Sequence, residues 1–586
     1  MKRFIKLLWV LTLSIGLVAC GGKEEQTTAS APNKEFDAYV EELPSLLYDA
    51  TDYGLNYVFV DKKAAGYKEK MYEYALPSRK DYDKSMEEVE QVYDEIKDFS
   101  RNSLSKNQQL TYDVLLAYFD TTTNMSDDAA YYLNTNYLDT IYGAPSNMPL
   151  NFYFYKFRNQ NDVDSYLNLL KTTKDYYSAL AKHEQERQDE GFGMTPSQIA
   201  ALIEQCNDYI EGDQTFLIDS FNQKIDELEV VNETQKEEYK VINKQYVEED
   251  LKQAYRMLKE DIEKLTIKTK KDEGYSAIYD DGEDYYEELI QANTGFETVK
   301  DYRQYLEEKA EEVMSEVQKI MMSNQDVLQR TIDEEGKIIV DYTSADNPTD
   351  ALVELKEKMK DDFPRMRELV YDMEIVPESM QSIFEASAAY FVSPVDSLDS
   401  PELMVLNSTY SKDAYLTIAH EGFPGHMYQT QYYKERKEPM IRQLMDFDGY
   451  TEGYANYVEN YSAKYAQDEE AANLYTLLMQ YQYIDILLLD IEIHYDGISK
   501  EEAISNLKEL GYDEEMANGQ YEQLLHSPGL FAKYYGAGFR FKDLREKVQE
   551  ENQKISDKDY HEAILNVGSA PYDIVESYVL SELVEE

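Results

Sequence analysis

Apolar residues recur at intervals of three and four along most of the chain, with acidic residues and lysines between them. In the segment DYRQYLEEKAEEVMSEVQKIM, residues 301–321, these apolar positions fall on one face of a helix. Similar patterns run through residues 82–98, 164–184, 234–265 and 351–372. The pattern therefore predicts a mainly α-helical protein, with helices dominating residues 36–336.

Turn-forming residues and short apolar runs interrupt this helical pattern. Glycine, proline and acidic residues predict breaks at residues 143–149, 191–196 and 280–284. Three runs are typical of strands: KIIVDY at 337–342, AAYFVSP at 388–394 and ELMVLNS at 402–408. The last two precede a segment that contains histidine and glutamate, so we expect a small β-sheet near that segment.

The first residues have the features of an export signal. Positive charges precede an apolar run at residues 7–19 that is too short to span a bilayer as a stable helix. The sequence LVAC at 17–20 resembles the lipobox of bacterial lipoproteins. This resemblance implies that residues 1–19 are removed and that a lipid on Cys20 anchors the protein to the outer face of the cell membrane. A plain secretory signal is the alternative, and residues 20–35 are predicted to form a flexible tether.

The charge of the chain excludes one class of partner. With 116 acidic and 58 basic residues, the formal net charge is −58. A surface of this charge repels phosphate backbones, so we exclude a nucleic acid-binding role. Cys206 is the only cysteine apart from Cys20, so stability must come from a large buried core rather than from disulfides.

The segment AHEGFPGHMYQ, residues 419–429, contains the clearest candidate chemistry. Many zinc hydrolases place two histidines at i and i+4 of a helix, with a glutamate directly after the first as general base. Here Pro424 occupies the i+4 position, and His426 follows His420 by six residues. On an ideal helix this spacing leaves the two side chains about 120° apart. We therefore predict a distorted backbone at residues 423–425 that brings His426 back toward His420.

A zinc site needs a third protein ligand and an open position for water. The helical segment FDGYTEGYANYVENYSAKY places Glu452, Asn456 and Glu459 on one face. We predict Glu452 as the third ligand, and a bond from Glu459 that orients a histidine. A chance His-Glu pair is the alternative in so acidic a chain, but only six histidines occur in 586 residues.

Other histidines and tyrosines are weaker candidates. His494 follows Asp490 by four residues, a spacing that lets the carboxylate hold one imidazole nitrogen. A catalytic role and a core role are both open for His494. The glycine-rich segment after His526 contains Tyr534, whose phenol could donate to a developing oxyanion. The remaining histidines, His183 and His561, lie in charged helical segments and are predicted to be surface residues.

Four motifs together resemble the bacterial DUF885 family: HEGFPGH, TEGYANYVE, LLDIEIHYDGISKEEA and SPGLFAKYYGAGF. The resemblance implies a mainly helical, zincin-like fold of the gluzincin or neurolysin type, with a deep cleft. It also implies zinc ligation by three residues, His420, His426 and Glu452, with Glu421 as the general base. Tyr454, where the family usually has tryptophan, and Leu530, where glutamine is common, depart from the family pattern.

These observations predict a zinc-dependent peptidase tethered outside the cytoplasmic membrane. A helical region at residues 36–336 would be fused to a zincin-like region at residues 337–586. Zn²⁺ and Glu421 would activate water, His494 or Tyr534 would stabilise the oxyanion, and the strand at 402–408 would bind an extended peptide at its edge. A peptide-binding lipoprotein without activity, and a zinc hydrolase of a non-peptide amide or ester, are the alternatives. The sequence does not determine the substrate or the oligomeric state.

Overall fold

The amphipathic periodicity corresponds to helices through most of the structure. A computed structural model describes residues 32–124, 128–334, 336–381, 388–407 and 414–584. The predicted export signal, Cys20 and most of the tether lie outside these residues. No helix within the described ranges is both long and apolar enough to cross a bilayer.

The helices of the N-terminal part precede the first strand and are mostly amphipathic. Their bounds are α1 Lys34–Glu42, α2 Pro44–Leu47, α3 Leu55–Val58, α4 Arg79–Lys97, α5 Lys106–Asn124, α6 Asp128–Asn134, α7 Ala144–Phe154, α8 Gln160–Glu190, α9 Pro196–Glu211, α10 Thr215–Glu227, α11 Glu233–Gln245, α12 Lys252–Ile262, α13 Tyr275–Ile278, α14 Gly282–Thr294, α15 Val299–Ser323, α16 Val327–Thr331 and α17 Pro348–Lys358. A π-helical turn, Tyr246–Leu251, joins α11 to α12.

The C-terminal part contains the strands and a second set of helices. Their bounds are β1 Tyr371–Ile375, β2 Ala388–Phe391, β3 Glu402–Leu406, α18 Tyr415–Glu421, α19 His426–Glu435, α20 Met440–Leu444, α21 Asp448–Tyr461, α22 Glu469–Ile491, α23 Lys500–Glu509, α24 Glu514–His526, α25 Ala537–Glu551, α26 Asp557–Val567 and α27 Tyr572–Leu583. Two further π-helical turns are Glu492–Asp496 and Ala532–Gly536.

Helix-ending residues explain the break predicted at residues 191–196. Helix α8 ends at Glu190, and the next residue, Gly191, has a left-handed φ of 93° that suits glycine. Helix α9 begins with a capping box in which Thr195 and Gln198 bond to each other's backbone amides. The break is confirmed, and its position follows from local chemistry alone.

The break predicted at residues 143–149 is wrong, because α7 runs through most of it. Pro145 lies in the first turn, where a proline is tolerated, but Pro149 lies inside the helix. Pro149 has no amide hydrogen for the carbonyl of Pro145. The hydroxyl of Tyr255 on α12 donates to that carbonyl instead, at 2.6 Å. A distant tyrosine thus satisfies the acceptor that the proline leaves open.

The sheet has the strand order β1-β3-β2, with β3 parallel to β1 and antiparallel to β2. The strand predicted at residues 337–342 is wrong, since the segment forms only an isolated bridge between Ile338 and Ile332. The sequence pattern also missed β1, because the helical prediction extended over residues 351–372, whereas α17 ends at Lys358. Peptide binding at the edge of β3 is excluded, because β3 has a neighbour on both sides.

Two hydrophobic cores meet at the central strand. The larger core runs in sequence from Phe36 to Val579 and includes Met404 of β3. A second core, built mainly from helices α3 to α12, includes the next residue of the strand, Val405. Successive residues of a strand face opposite sides. Strand β3 is therefore packed on both faces.

Two histidines predicted at the surface are buried. His183 is 4% exposed, and its Nε2 lies 2.8 Å from the hydroxyl of Thr135. His561 is fully buried between the Tyr457 hydroxyl, at 2.8 Å, and a backbone carbonyl. Burial lowers the pKa of each to about 4. The prediction failed for His183 because two of its charged neighbours, Glu184 and Arg187, are buried as an ion pair on the same side of the helix. It failed for His561 because the charged neighbours of this residue lie on the outer face of α26.

Replacement of Tyr255 by phenylalanine should lower the free energy of unfolding by about 1–3 kcal/mol, because the buried carbonyl of Pro145 loses its donor. Urea denaturation measures this change. Tyr209→Phe is the matched control, because Tyr209 stacks on Tyr255 with ring centroids 3.9 Å apart and its hydroxyl has no partner among the described residues. Equal effects of the two substitutions would contradict the assigned role of the Tyr255 hydroxyl.

Candidate metal centre

A break between two helices brings the two histidines of the HEGFPGH segment together. Helix α18 ends at Glu421 and α19 begins at His426. The amide of Gly425 donates to the carbonyl of Ala419 at 2.9 Å, which keeps the connection compact. The ring centroids of His420 and His426 are 4.7 Å apart, with ring planes at 86°. The distortion predicted at residues 423–425 is therefore present.

Gly425 is required for space rather than for an unusual φ. Its φ of −80° lies outside the left-handed region that favours glycine. A Cβ atom at this position would lie 1.7 Å from the carbonyl oxygen of His420. No side chain fits at that distance, so the close approach of the two helix ends depends on glycine.

Glu452 on α21 completes a cluster with the two histidines. Its Oε2 lies 3.2 Å from Nε2 of His426 and 3.6 Å from Nε2 of His420. One candidate ligand atom from each of the three residues lies within 4.8 Å of the others. Two imidazole nitrogens and one carboxylate oxygen could hold a divalent metal ion.

Glu459 lies two turns after Glu452 on the same face of α21 and contacts the other side of His420. The Nδ1–H of His420 donates to Oε2 of Glu459 at 3.1 Å. This bond fixes the ring orientation and leaves Nε2 directed toward Glu452. Metal-binding histidines commonly have such a carboxylate partner.

The electrostatics of the cluster favour positive charge. Burial alone would lower the pKa of His420, but hydrogen bonds to Glu452 and Glu459 outweigh it and raise the pKa well above its usual range. Burial would raise the pKa of Glu452, but the charge of His426 and hydrogen bonds from both histidines hold it well below the usual range. The partly buried carboxylates thus attract a cation.

Glu421 lies beside the cluster and contacts the sheet. Its Oε2 accepts a hydrogen bond from the backbone amide of Tyr390, at 2.8 Å. Tyr390 belongs to β2, an edge strand of the sheet. Burial raises the pKa of Glu421, while the nearby histidines act in the opposite direction. The carboxylate is therefore oriented by backbone rather than by a side chain.

A buried polar network holds β2 in place behind Glu421. The hydroxyls of Tyr390 and Ser393 both donate to the carboxylate of Glu402 on β3. Lys434 on α19 donates to the hydroxyl of Ser393 at 2.6 Å and to its carbonyl at 2.7 Å. Burial lowers the pKa of Lys434 to about 8, opposed by the charge of Glu402. The network ties β2, β3 and α19 together.

Sequence reasoning missed this network because its members are distant in sequence and none is unusual alone. The one available signal was a glutamate that opens the otherwise apolar run ELMVL. A charged residue that faces a core requires partners.

Tyr534 lies at the cluster, on the π-helical turn Ala532–Gly536. Its ring is stacked against that of His420, with centroids 6.3 Å apart and planes at 23°. Burial and the charge of Glu452 raise the pKa of Tyr534 far above its usual range, so it remains a phenol. Single π-turns of this kind often occur at functional sites.

Lys533 and Tyr142 lie next to Tyr534, and no pattern in the sequence indicated either residue. The ammonium of Lys533 donates to Asp448 at 2.9 Å. It also lies 5.3 Å from the ring centre of Tyr142 and 5.6 Å from that of Tyr534. Tyr142 is 58% exposed. An exposed aromatic residue from the N-terminal part thus borders the cluster.

The geometry does not support the predicted catalytic role of His494. The residue is fully buried, its Nδ1 accepts from the amide of Tyr275 at 3.3 Å, and its Nε2–H donates to the carbonyl of Leu524 at 3.0 Å. Burial lowers its pKa to about 4. Asp490 lies 3.8 Å away and instead accepts from the hydroxyl of Tyr286, at 2.7 Å. These are the surroundings of a core histidine.

Comparison with known proteins identifies a family and a fold. The model of the family described as "Bacterial protein of unknown function (DUF885)" matches residues 60–579. A protein from Colwellia psychrerythraea, named as a lipoprotein, has a TM-score of 0.77 at 16% identity, over 94% of this chain and 99% of its own. A lipoprotein of unknown function from Shewanella oneidensis has a TM-score of 0.60 at 17% identity, over 93% and 98%.

A third solved structure is much less similar. It is a protein from Bacillus anthracis str. Ames, named as an oligoendopeptidase F, with a TM-score of 0.30 at 13% identity over 87% of this chain and 96% of its own. This value is too low to indicate a shared fold. No curated protein matches the chain.

Replacement of Gly425 by alanine should destabilise the protein by about 3 kcal/mol, because the added methyl group collides with the carbonyl of His420. Urea denaturation measures this change, and a crystal structure of the variant should show the two imidazoles farther apart. Gly519→Ala on α24 is the matched control, because nothing lies within 4 Å of its added Cβ. That helical alanine should stabilise the protein by about 0.5–1 kcal/mol. Similar stability of the two variants would contradict the steric role of Gly425.

Proposed function

The chain belongs to the DUF885 family, and from the geometry of its candidate metal centre we propose that it is a zinc-dependent peptidase with a zincin-like fold. One observation carries the proposal. The side chains of His420, His426 and Glu452 converge, and a separate carboxylate, Glu421, lies beside them with its own backbone donor. A site for structural metal alone has no use for that additional carboxylate.

The donor set suits zinc better than calcium or magnesium. Zinc is held by imidazole nitrogen and carboxylate oxygen, whereas calcium and magnesium prefer oxygen alone. Three protein ligands are also the usual number where zinc is catalytic. A zinc ion held by these residues would supply Lewis acidity, which lowers the pKa of water and polarises a carbonyl.

Each protein group has a distinct role in the proposed hydrolysis. Glu421, oriented by the amide of Tyr390, takes a proton from the attacking water and later delivers it to the leaving amine. The phenol of Tyr534 donates to the developing oxyanion. Glu459 keeps the Nε2 of His420 directed into the cluster.

The edge of β2 is the proposed position for the substrate backbone. Among the described residues, β2 pairs with β3 only, and the amide of its Tyr390 contacts Glu421, the proposed general base. A sheet edge binds an extended peptide through main-chain hydrogen bonds, which places the peptide alongside the reacting carbonyl. The substrate is thus a peptide or a small amide.

We also propose that the protein is exported and held at the outer face of the membrane by a lipid on Cys20. The motif LVAC and two structures of the same fold that are named as lipoproteins support this location. A peptidase in this position would act on peptides outside the cytoplasm.

Purified protein should bind one equivalent of zinc, detectable by elemental analysis and by calorimetric titration after chelation. His420→Ala, His426→Ala and Glu452→Ala should each lower zinc affinity by at least about 100-fold, because each removes one of three ligands. His526→Ala is the control and should bind as the wild type does, since His526 contacts Ser197 instead. Wild-type affinity in all three cluster variants would refute the metal centre.

Glu421→Gln should retain zinc and lower kcat on a mixed peptide library by at least about 100-fold, because the amide cannot accept the proton of water. Mass spectrometry of the library, with and without chelator, measures cleavage. Glu509→Gln, an exposed carboxylate at the end of α23, is the control and should retain full activity. If esters but not peptides are cleaved in a chelator-sensitive manner, the protein is a zinc esterase rather than a peptidase. Full activity of Glu421→Gln would refute the role of Glu421 as general base.

A further inference from the structure

Helix α22 carries a polar stripe inside an otherwise apolar environment. Most inward positions of this helix are leucine, isoleucine or alanine, but Asn473, Thr476 and Gln480 recur at i, i+3 and i+7. Such residues share one face of a helix. Thr476 and Gln480 are both more than nine-tenths buried. Burial of polar side chains is unfavourable unless they find partners.

This stripe lines a cavity of about 560 Å³ between four helices, α15, α21, α22 and α25. Asn460 on α21 faces the same space, and Leu477 and Phe539 add apolar surface. The volume lies within the range of small-molecule sites, and the mixture of apolar wall and few polar groups is typical of them. The metal ligands are not among the residues that line it.

The charge of the lining is opposite to that of the chain. Four cations, Lys319, Lys464, Lys542 and Arg545, face the cavity with one acid, Glu316, in a protein with twice as many acidic as basic residues. A cluster of positively charged side chains is not expected by chance on so acidic a surface.

Two of the four cations are available to a ligand. Arg545 is bonded to Asp557 at 2.6 Å and Lys464 to Asp362 at 3.0 Å. Lys542 has only distant carboxylates, at 3.7 and 3.9 Å. Lys319 has no ion pair within 4.0 Å among the described residues. A ligand carboxylate could therefore bind both lysines without breaking a short ion pair.

Gln480 favours a ligand that can donate a hydrogen bond. Its residue exposure is 7%, and its Oε1 has no partner within the described part of the chain. A buried unsatisfied acceptor costs about 1–3 kcal/mol, so such atoms usually have a partner in the working protein. The acceptor of Gln480 requires an N–H or O–H donor.

We propose that this cavity is a binding site for a small organic anion that also carries an N–H donor, namely an amino acid or a short peptide. Its carboxylate binds Lys319 and Lys542. Its N–H groups meet the side-chain amides of α22, and its side chain packs against Phe539. The site is separate from the metal centre and does not depend on the proposed activity.

Calorimetric titration of the full chain with a panel of dipeptides tests the proposal. The protein is used as zinc-free His420→Ala, so that neither hydrolysis nor the metal centre contributes. Saturable binding of one equivalent is expected, and C-terminal amides of the same dipeptides should bind at least about tenfold more weakly, because they lack the carboxylate.

Lys319→Met and Lys542→Met should each weaken dipeptide binding by about tenfold. Lys547→Met is the matched control on α25, because Lys547 is paired with Glu576 at 3.0 Å and does not line the cavity; it should bind as the parent does. A further variant, Gln480→Leu, should weaken the binding of dipeptides more than the binding of carboxylic acids of similar size that contain no nitrogen. No saturable binding at millimolar concentration, or binding that is unaffected by both lysine variants, would overturn the proposal.

Discussion

The close contact between Gly425 and the carbonyl of His420 is the constraint on which the site depends. An uninterrupted helix would separate two residues six positions apart by about 120° and direct their side chains to different surroundings. Helix α18 ends at Glu421, and after a tight connection α19 begins at His426. His420 and His426 therefore both face Glu452. The rest of the site, including the positions of the carboxylates, is built around this pair of helix ends.

Three carboxylates surround two imidazoles, and each is distinguished by its partner. Glu452 faces the Nε2 atoms of both histidines, Glu459 accepts from the Nδ1–H of His420, and Glu421 accepts from a backbone amide. Partly buried carboxylates are costly unless a cation or donors compensate them. The partners therefore distinguish the three carboxylates. Glu452 lies between the two imidazoles, Glu459 orients the ring of His420, and the second oxygen of Glu421 has no hydrogen-bond partner within the described ranges.

The sequence contained enough information for the helices and for the cluster, because both depend on spacing within short segments. Capping residues such as Thr195 mark helix ends, and the faces of α18 and α21 follow from periodicity. The features that the sequence did not predict depend on contacts between segments that are distant in sequence. The partners of Glu421 and Lys434, the burial of His561 and the helix through Pro149 all depend on residues from other elements, and no local pattern encodes them.

The central strand β3 has a further consequence for how the site tolerates change. Met404 and Val405 point into different cores, so sliding the strand by one residue would exchange their surroundings and expose the mismatch on both faces at once. The same slip would carry the neighbouring amide of Tyr390 away from Glu421. One pairing register of β3 therefore determines both how the two cores pack and where the backbone donor of Glu421 lies.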